Sequence, residues 1–550
     1  MNKEVKSILL LTAGLLFINS INQYFYQRFD LTEDKRYTLS EVSTTILNKI
    51  NDPLFITVYL KGDFPAEFKR LQIETQQFLE ELRAENKNII IRFVNPDSDR
   101  EELVRKGMIP SQLTVEEDSK LSEAIIFPWA EIEYVNKTSL VSLLPDTIVT
   151  SQEQQLQNAI GSLEFSFLDA INTIIKKQKK RIAVITGNGE LEDIYLYSFL
   201  SEIAKKNSLA KFTLDSVATN PKRTLKDMLN FDLAIIAKPT QKFTEEEKFT
   251  LDQYIVNGGN TLWMIDNVQA DMDSLYNSGK MLAYPRDLNL TDLLFNYGIR
   301  IHTGLIQDLY AAKIFLATGN IGNQPQFQSL PWFYHPVVNG NPNHPITKNI
   351  APVRMQFVTQ IDTLKNNIKK TPLLVSSPLT RKTSTPNFIE LQHIGTEPKE
   401  EDYRGNHQLF GVLLEGDFNS AYKNRIKPFE TSLFKSRGER NKMLVVSDGD
   451  IGKNQTLKGK PHDLSFDRWT NEQFGNKEFL INAVDYLLDD TGLITLRSKN
   501  VRIPHLDKQR AFKERTFWQF LNVILPLLLL CIFGTGFAYF RKKKFSLHNL

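Results

Sequence analysis

The longest uncharged hydrophobic run lies at Phe517–Phe540, and four basic residues, Arg541–Lys544, follow it directly. At ~1.5 Å of rise per residue, this run is long enough to cross a hydrocarbon core of roughly 30 Å. Trp518 and Tyr539 lie near its two ends, where amphipathic aromatic rings favour the headgroup level. The pattern predicts a C-terminal transmembrane helix over residues 517–540 and a basic cytoplasmic tail over residues 541–550.

A second hydrophobic run, Ser7–Tyr26, follows Lys3 and Lys6, and its first half is more apolar than its second half. This pattern predicts an N-terminal membrane anchor over residues 1–27. A cleaved secretory signal peptide is the alternative, although no A-x-A cleavage pattern follows the apolar run. Because basic residues flank the outer side of both runs, we expect both termini in the cytoplasm of a two-span protein of the cytoplasmic membrane, with the residues between the spans in the periplasm.

Five polar residues of the N-terminal run fall on one face of a helix. They are Thr12, Asn19, Asn22, Gln23 and Tyr26. Uncharged polar side chains within a membrane favour contact with another helix, where hydrogen bonds replace those to water. We therefore expect this face to pack against a partner helix. The alternative is that residues 22–26 already lie among the lipid headgroups. A headgroup position explains Asn19 less well than it explains residues 22–26.

Between the two runs, the periodicity predicts an α/β body that begins with a small domain over residues 28–150. The expected elements are a strand at 54–60, an amphipathic helix at 66–84, a strand at 89–94, and two strands at 122–128 and 130–144 that are joined near Pro128. The first three form a parallel βαβ unit. The order of these helices and strands is thioredoxin-like, although the redox cysteines of that fold are absent. A helical linker is expected over residues 151–180.

A larger domain is predicted over residues 181–500, where hydrophobic strands alternate with helices. Alternation of this kind indicates a doubly wound parallel sheet of the amidotransferase-like or flavodoxin-like type. One of its strands is expected at 212–217, and Thr244 followed by Glu247 predicts a capping box. The pattern loosens around residues 268–442, which we interpret as an irregular insertion. A juxtamembrane segment over residues 501–516 leads to the C-terminal run.

Composition narrows the possible function classes. The chain has one cysteine, Cys531, within the C-terminal run, so the body can contain no internal disulfide, CxxC redox pair, cysteine-rich zinc site or catalytic cysteine. A net charge of +3 from 67 basic and 64 acidic residues gives no support to a nucleic-acid partner. The motif G-x-x-x-x-G-K-[ST] is absent, so the chain is not itself a P-loop ATPase. We predict no catalytic, metal or cofactor site.

Two loops at the predicted carboxyl ends of strands are candidate ligand or partner loops. Their residues are Gly187, Asn188 and Gly189, and Asp448, Gly449 and Asp450. In the first loop, Glu192 stands where the dinucleotide fingerprint needs a glycine, so a tight turn is favoured over a phosphate site. The paired carboxylates of the second loop could bind a cation or act as acid and base, but Asp-Gly is also ordinary turn chemistry.

Four stretches of the chain match the pattern of one known family. They are Arg28–Ser40, which is the most specific, Arg181–Gly189, Met443–Asp450 and Gly475–Leu487. In these stretches the chain resembles the GldG family of gliding-motility-associated ABC transporter auxiliary ("substrate-binding") proteins. The resemblance covers most of the chain, including both hydrophobic runs. It implies a complex with a multi-spanning permease subunit and a separate cytoplasmic ATPase, in gliding bacteria.

The sequence therefore predicts a non-catalytic accessory subunit of an ABC transporter. Its spans would pack on the permease through the polar face of the N-terminal anchor, and its body would meet a cargo or an envelope partner. Two alternatives stay open. One is a membrane-anchored periplasmic hydrolase that uses Asp448 and Asp450, and the other is a structural tether for surface machinery without a transporter.

Overall fold

The structure is a computed structural model that describes residues 12–14, 38–62, 66–117, 120–144, 152–176, 178–322, 324–498 and 508–546. Contacts divide the chain into two units, Met1–Asn500 and Val501–Leu550. Residues 12–14 are helical, whereas the rest of the predicted N-terminal anchor lies outside the described residues. The roles predicted for Asn19, Asn22, Gln23 and Tyr26 therefore stay predictions.

The first unit begins with a four-stranded sheet. The elements of this region are α1 (Glu41–Leu47), β1 (Leu54–Val58), α2 (Ala66–Glu85), β2 (Ile89–Phe93), α3 (Arg100–Arg105), β3 (Ser111–Glu117), β4 (Lys120–Ile126), β5 (Trp129–Tyr134) and β6 (Lys137–Ser142). The strand order is β2-β1-β5-β6, with β1 and β2 parallel and the other neighbours antiparallel. In β1, Leu54, Ile56 and Val58 point to the core, as the two-residue period of a strand requires.

The strand pair predicted on either side of Pro128 is wrong. β4 pairs with β3, and the stretch predicted as one strand over residues 130–144 is a hairpin of β5 and β6. Its two-residue turn places Val135 and Asn136 at positive φ angles of 45° and 62°. A turn of this type is usually marked by glycine or asparagine at both positions, so the β-branched Val135 conceals it from a reading of the sequence.

A long helix, α4 (Gln152–Ile175), connects the small sheet to the main one. Near its middle, the Glu164 carboxylate accepts hydrogen bonds from the Ser40 amide at 2.9 Å and from the Ser43 hydroxyl at 2.7 Å, just before and within α1. Further along, Asp169 Oδ2 lies 2.7 Å from the ammonium of Lys206, which also lies 3.5 Å from Asp485 of the main-sheet region. These polar contacts, most of them partly buried, fix α4 on both sides.

The main sheet begins with alternating strands and helices, as the pattern predicts. They are β7 (Arg181–Thr186), α5 (Asp193–Lys206), β8 (Ser208–Thr213), α6 (Pro221–Met228), β9 (Leu233–Ala237), α7 (Glu245–Val256) and β10 (Asn260–Met264). The capping box at α7 is confirmed, because Thr244 Oγ1 accepts from the Glu247 amide at 3.2 Å and the Glu247 carboxylate accepts from the Thr244 amide at 2.8 Å. The strand predicted at 212–217 is wrong, since β8 ends at Thr213 and Leu214–Ala218 is a 3-10 helix.

The stretch predicted as an irregular insertion consists largely of strands. Its elements, up to the last parallel strand, are β11 (Val268–Gln269), α8 (Met272–Ser278), β12 (Lys280–Pro285), α9 (Thr291–Tyr297), β13 (Ile299–Asp308), β14 (Ala311–Ile321), β15 (Gln324–Gly340), β16 (Val353–Arg354), β17 (Thr359–Thr363), β18 (Lys369–Val375), β19 (Thr380–Thr383), β20 (Asn387–Glu390), β21 (Leu409–Asn419) and β22 (Arg437–Val446). β15 contains Pro325, Pro331 and Pro336, and proline argues against a strand because it lacks the amide donor. Register shifts in its pairing with β14 interrupt the regular ladder.

The insertion continues the main sheet instead of interrupting it. The order is β14-β15-β18-β21-β22-β10-β9-β7-β8, in which β22, β10, β9, β7 and β8 are parallel and β21 joins β22 antiparallel. The chain then forms the short strands β23 (Thr456–Leu457), β24 (Lys460–Pro461), β25 (Phe466–Asp467) and β26 (Glu472–Gln473), and the helix α10 (Asn476–Leu488). The five parallel strands, in chain order, have the spatial order 2-1-3-4-5, one of the common doubly wound arrangements.

Helices cover both faces of the parallel strands and form two cores. One core holds Phe249, Tyr254 and Trp263, where α7 packs on the sheet. The other holds Phe199 and Phe479, from α5 and α10. Adjacent residues of β10 point to opposite cores, as expected for a strand buried on both sides. The mixed α/β class is therefore confirmed.

The second unit contains α11 (Lys508–Lys513) and α12 (Arg515–Ser546). Within the described part of the chain, Arg515–Lys543 is the one helix that is long and apolar enough to span a membrane, with a mean hydropathy of 2.2. None of its most apolar stretch is buried against protein. The predicted C-terminal run lies inside α12, which is thus a candidate membrane anchor.

Candidate functional site at the carboxyl edge of the main sheet

Three parallel strands bring four charged side chains together at one edge of the main sheet. Lys238 follows β9, Asp266 follows β10, and Asp448 and Asp450 follow β22, and all four side chains are buried. The ammonium of Lys238 lies 2.5 Å from Asp450 Oδ2 and 3.4 Å from Asp266 Oδ2. We call these four residues the edge cluster.

Backbone hydrogen bonds hold the Asp448–Asp450 loop against this cluster. The Asp448 carboxylate accepts from the amides of Asp450 and Gln356, both at 2.8 Å. The Gly449 amide donates to Asp266 Oδ1 at 2.5 Å. A Cβ atom at Gly449 would lie only 2.6 Å from Lys238 Cγ and 2.8 Å from Asp266 Oδ2. Any residue other than glycine would therefore force the Lys238 and Asp266 side chains or the loop to move.

The charges of the edge cluster depend on one another. Burial raises the pKa of Asp448 well above its usual range, and the neighbouring carboxylates of Asp266 and Asp450 raise it further. Burial also raises the pKa of Asp266, although the Lys238 ammonium opposes that shift. Burial disfavours the charged form of Lys238, but the carboxylates of Asp450 and Asp266 outweigh this effect and raise the pKa of Lys238. The arrangement thus favours a charged lysine beside a neutral Asp448.

This geometry suits a structural role, in which the charges hold neighbouring strands together, better than it suits an acid-base pair. A general acid or base must come within hydrogen-bond reach of its substrate, whereas Asp448 and Asp450 are buried and their contacts are directed to the protein. Across the residues that the structure describes, no group of three or more histidine, cysteine, aspartate or glutamate side chains is placed to hold a metal ion. We therefore interpret the edge cluster as a device that joins three strands.

The turn at residues 187–189 lies at the same edge, after β7, and packs against the loop that follows β9. The Asn188 carbonyl accepts from the Thr240 amide at 2.9 Å, and the Asn188 side chain donates to Glu247 at 3.0 Å. Gly189 has a φ of 72°, and a Cβ atom there would collide with Thr240 Oγ1. The switch point between β7 and β9, where doubly wound sheets often bind ligands, is thus filled by protein.

A cleft of about 300 Å³ opens beside the edge cluster. Gln356 and Lys453 connect the two, since both line the cleft and both contact cluster residues. The aromatic residues of its walls come from α5, α8, β14 and the loop between β25 and β26. They are Tyr195, Tyr276, Phe315 and Trp469. Polar and charged side chains make up most of the remaining lining, so a ligand of this cleft would be polar.

Sequence reasoning missed Lys238, Asp266 and the cleft. The signal for the first two was present, because each follows a predicted strand of the parallel sheet, where ligands and partners are usual. The cleft draws on segments from α5 to the loop before α10, which no local pattern joins. His335 lies in β15 and also lines the cleft. Its burial lowers the pKa of its ring well below the usual value.

The family model described as "ABC-type uncharacterized transport system" matches residues 179–483. The chain belongs to this family. The matched range contains the edge cluster, the cleft and the whole main sheet. A second family model, described as a domain of unknown function (DUF7088), matches residues 33–133, which include most of the small sheet. Membership of an auxiliary family of ABC transport systems indicates association with transporter components and favours a role other than catalysis.

A protein of Borreliella burgdorferi, described as uncharacterized, is 22% identical over 556 residues, and the match covers 99% of this chain and 98% of that protein. Two solved structures are also similar at 12% identity each. The mmIFT52 N-terminal domain covers 56% of this chain and 97% of its own, with a TM-score of 0.32. A ThuA-like protein from Parabacteroides merdae covers 55% and 99%, with a TM-score of 0.24. Both scores are too low to support an argument about fold or function.

Proposed function

We propose that this chain is a non-catalytic accessory subunit of an ABC transporter linked to gliding motility. The observation that carries the proposal is the family match over residues 179–483, which takes in the whole main sheet and its insertion. The resemblance of Arg28–Ser40 to the GldG family supports the finer link to gliding. ATP hydrolysis would take place in a separate cytoplasmic chain, because this sequence has no P-loop motif.

The membrane arrangement in this proposal has two spans. The apolar α12 supplies the C-terminal span, and the N-terminal run supplies the other, with both termini in the cytoplasm. The body between them would lie in the periplasm and meet a cargo or an envelope partner. The polar face with Asn19, Asn22 and Gln23 would pack on a multi-spanning permease.

The small sheet would act as a docking or spacing module. Its order, β2-β1-β5-β6, with a parallel βαβ unit followed by an antiparallel hairpin, agrees with a thioredoxin-like arrangement. The one cysteine of the chain, Cys531, lies in α12, so the module has no redox pair. The hydrolase alternative is not favoured, because Asp448 and Asp450 would have to leave the edge cluster to reach a substrate.

Replacing Asn19, Asn22 and Gln23 together with leucine tests the permease contact. We expect the variant to stay in the membrane but to retain less permease when it is purified in mild detergent, because the interhelical hydrogen bonds are lost. The double variant Ala13→Leu with Ser20→Leu is the control, since it makes the same helix more apolar outside the polar face. Equal permease recovery with the triple variant and the control would argue against the contact.

A further inference from the structure

The cleft beside the edge cluster contains nitrogen groups that make no hydrogen bond within the described part of the chain. The ammonium of Lys453 lies 3.8 Å from carboxylate oxygens of both Asp273 and Asp450, which is close enough for attraction but too far for a hydrogen bond. The guanidinium of Arg468 lies 4.2 Å from the centre of the Trp469 ring, and no described carboxylate is within ion-pair distance of it. The Trp469 ring thus holds the Arg468 side chain in place, while the guanidinium N–H donors have no hydrogen-bond acceptor among the described residues.

His335 adds a third open group. Its side chain is 4% exposed, it lines the cleft, and its Nε2 atom is buried without a hydrogen-bond partner in the described structure. Buried polar atoms without partners are costly and call for an explanation. A ligand atom in the cleft would supply one.

The remaining cations of the cleft already have partners. Arg354 is paired with Asp467, and Lys313 Nζ lies 3.1 Å from Glu472. The open hydrogen-bonding capacity therefore belongs to Lys453 and Arg468, together with the neutral ring of His335. Lys453 and Arg468 can only donate, so the matching ligand group is rich in acceptor oxygens.

The size and walls of the cleft limit the rest of the ligand. A volume of about 300 Å³ lies at the small end of the usual range for ligand pockets. Tyr276 is about half exposed, so its ring is available to pack against a flat body. Both features favour a compact ring over an extended chain.

We propose that this cleft binds a small organic oxyanion, a carboxylate or phosphate monoester carried on a ring such as a pyranose. Arg468 and Lys453 hold the oxyanion, and the aromatic walls hold the ring. This inference goes beyond the accessory-subunit role and does not depend on it, because the purified chain alone should bind the ligand. A free sugar acid or sugar phosphate and a lipid headgroup could both supply the oxyanion.

Titration calorimetry on the full-length protein in detergent tests the proposal, with glucuronate, glucose 6-phosphate, glucose and glycerol 3-phosphate as probes. We expect glucuronate and glucose 6-phosphate to bind at least about tenfold more tightly than neutral glucose. Tighter binding of glucose 6-phosphate than of glycerol 3-phosphate supports the ring. Equal binding of these two phosphates overturns the inference that the ligand carries a ring, and it points to a lipid headgroup. Glucose that binds as well as glucuronate overturns the proposal as a whole, as does the absence of binding by both charged sugars.

Substitutions of cleft residues test whether the ligand binds in the cleft. Lys453→Gln with Arg468→Gln should weaken glucose 6-phosphate binding by about tenfold or more, whereas Lys222→Gln, at an exposed lysine of α6, should leave it unchanged. If this pair fails to fold, the single variant Lys453→Gln tests the same contact and should weaken glucose 6-phosphate binding severalfold, whereas the charge-preserving Lys453→Arg should bind within a few-fold of the unchanged protein. Wild-type affinity in the glutamine pair would overturn the assignment.

Discussion

The ammonium of Lys238 lies 2.5 Å from the carboxylate of Asp450, a residue 212 positions later in the chain. This ion pair joins the end of β9 to the end of β22, although the whole insertion separates the two strands in sequence. The same ammonium lies 3.4 Å from Asp266, which follows the intervening strand β10. One lysine thus connects three neighbouring strands at the edge of the main sheet.

Replacing Lys238 with methionine should destabilise the protein strongly. The change leaves buried carboxylates without their cation, and removal of one partner from a buried ion pair costs about 3–5 kcal/mol. Thermal and urea unfolding of the purified protein measure the effect. Lys242→Met is the matched control, because Lys242 and Asp287 form an exposed pair at 2.7 Å that should contribute less than about 1 kcal/mol. A similar loss of unfolding free energy in the two variants would show that the edge cluster does not hold the strands together more strongly than an exposed ion pair does.

A methyl group at Gly449 should also disturb the edge cluster. The added Cβ of Gly449→Ala would lie 2.6 Å from Lys238 Cγ, inside van der Waals contact, so the lysine or the loop must move. Overpacking of this kind costs about 1–3 kcal/mol. Gly319→Ala in β14 is the control, because no atom lies within 4 Å of its added Cβ. Unfolding midpoints that fall equally for both variants would contradict the packing described for this loop.

The stability of the body should fall as the pH drops from about 6.5 towards 4, in part because of His344. Burial lowers the pKa of His344 to about 4. Its ring lies 4.9 Å from that of Tyr486, and its Nδ1 accepts a hydrogen bond from the Ile346 amide at 3.3 Å. Between the two pKa values the unfolded chain binds a proton that the folded protein does not bind, so acid favours unfolding.

His344→Asn tests this pH dependence, since asparagine can accept the same amide hydrogen bond but does not titrate. We expect the variant to lose less stability between pH 6.5 and 4 than the unchanged protein, whatever its stability at neutral pH. Unfolding midpoints measured across this pH range provide the comparison. A variant whose stability falls as steeply as that of the unchanged protein would exclude His344 as a source of the effect.

Cys531 should be protected from water if α12 crosses a membrane. Thiols react with maleimides as thiolates, which need an aqueous environment. We expect Cys531 to stay unlabelled by a membrane-impermeant maleimide in native membranes and to become labelled after solubilisation in a denaturing detergent. The variant Cys531→Ser with Ser546→Cys is the control and should be labelled in inverted vesicles. Fast labelling of Cys531 in sealed membranes would rule out a span at this position.

The parallel half of the main sheet could be predicted because its strands are short, apolar and separated by capped helices. Thr244 and Glu247, for example, form the predicted capping box at the start of α7. The antiparallel half could not be predicted, because β15 carries three prolines and its pairing with β14 contains register shifts. Pairing between distant strands decides its fold, and no local pattern contains that information.

The candidate site was predictable only in part. Asp448 and Asp450 are candidates from the sequence because they follow a predicted strand. Their partner Lys238 precedes Pro239, a pattern typical of a turn, so the sequence does not mark it as a candidate. The open donors of Lys453 and Arg468 depend on which carboxylates lie nearby in space. Such information comes only from the assembled fold.

The role proposed for this chain is that of an accessory subunit of a transporter. Its most direct test is to purify the tagged full-length protein in mild detergent from membranes of the organism that encodes it, and to identify the accompanying proteins by mass spectrometry. We expect a multi-spanning permease and an ABC ATPase to accompany it in stoichiometric amounts. A chain that is intact and folded but purifies without either protein would contradict the proposed role.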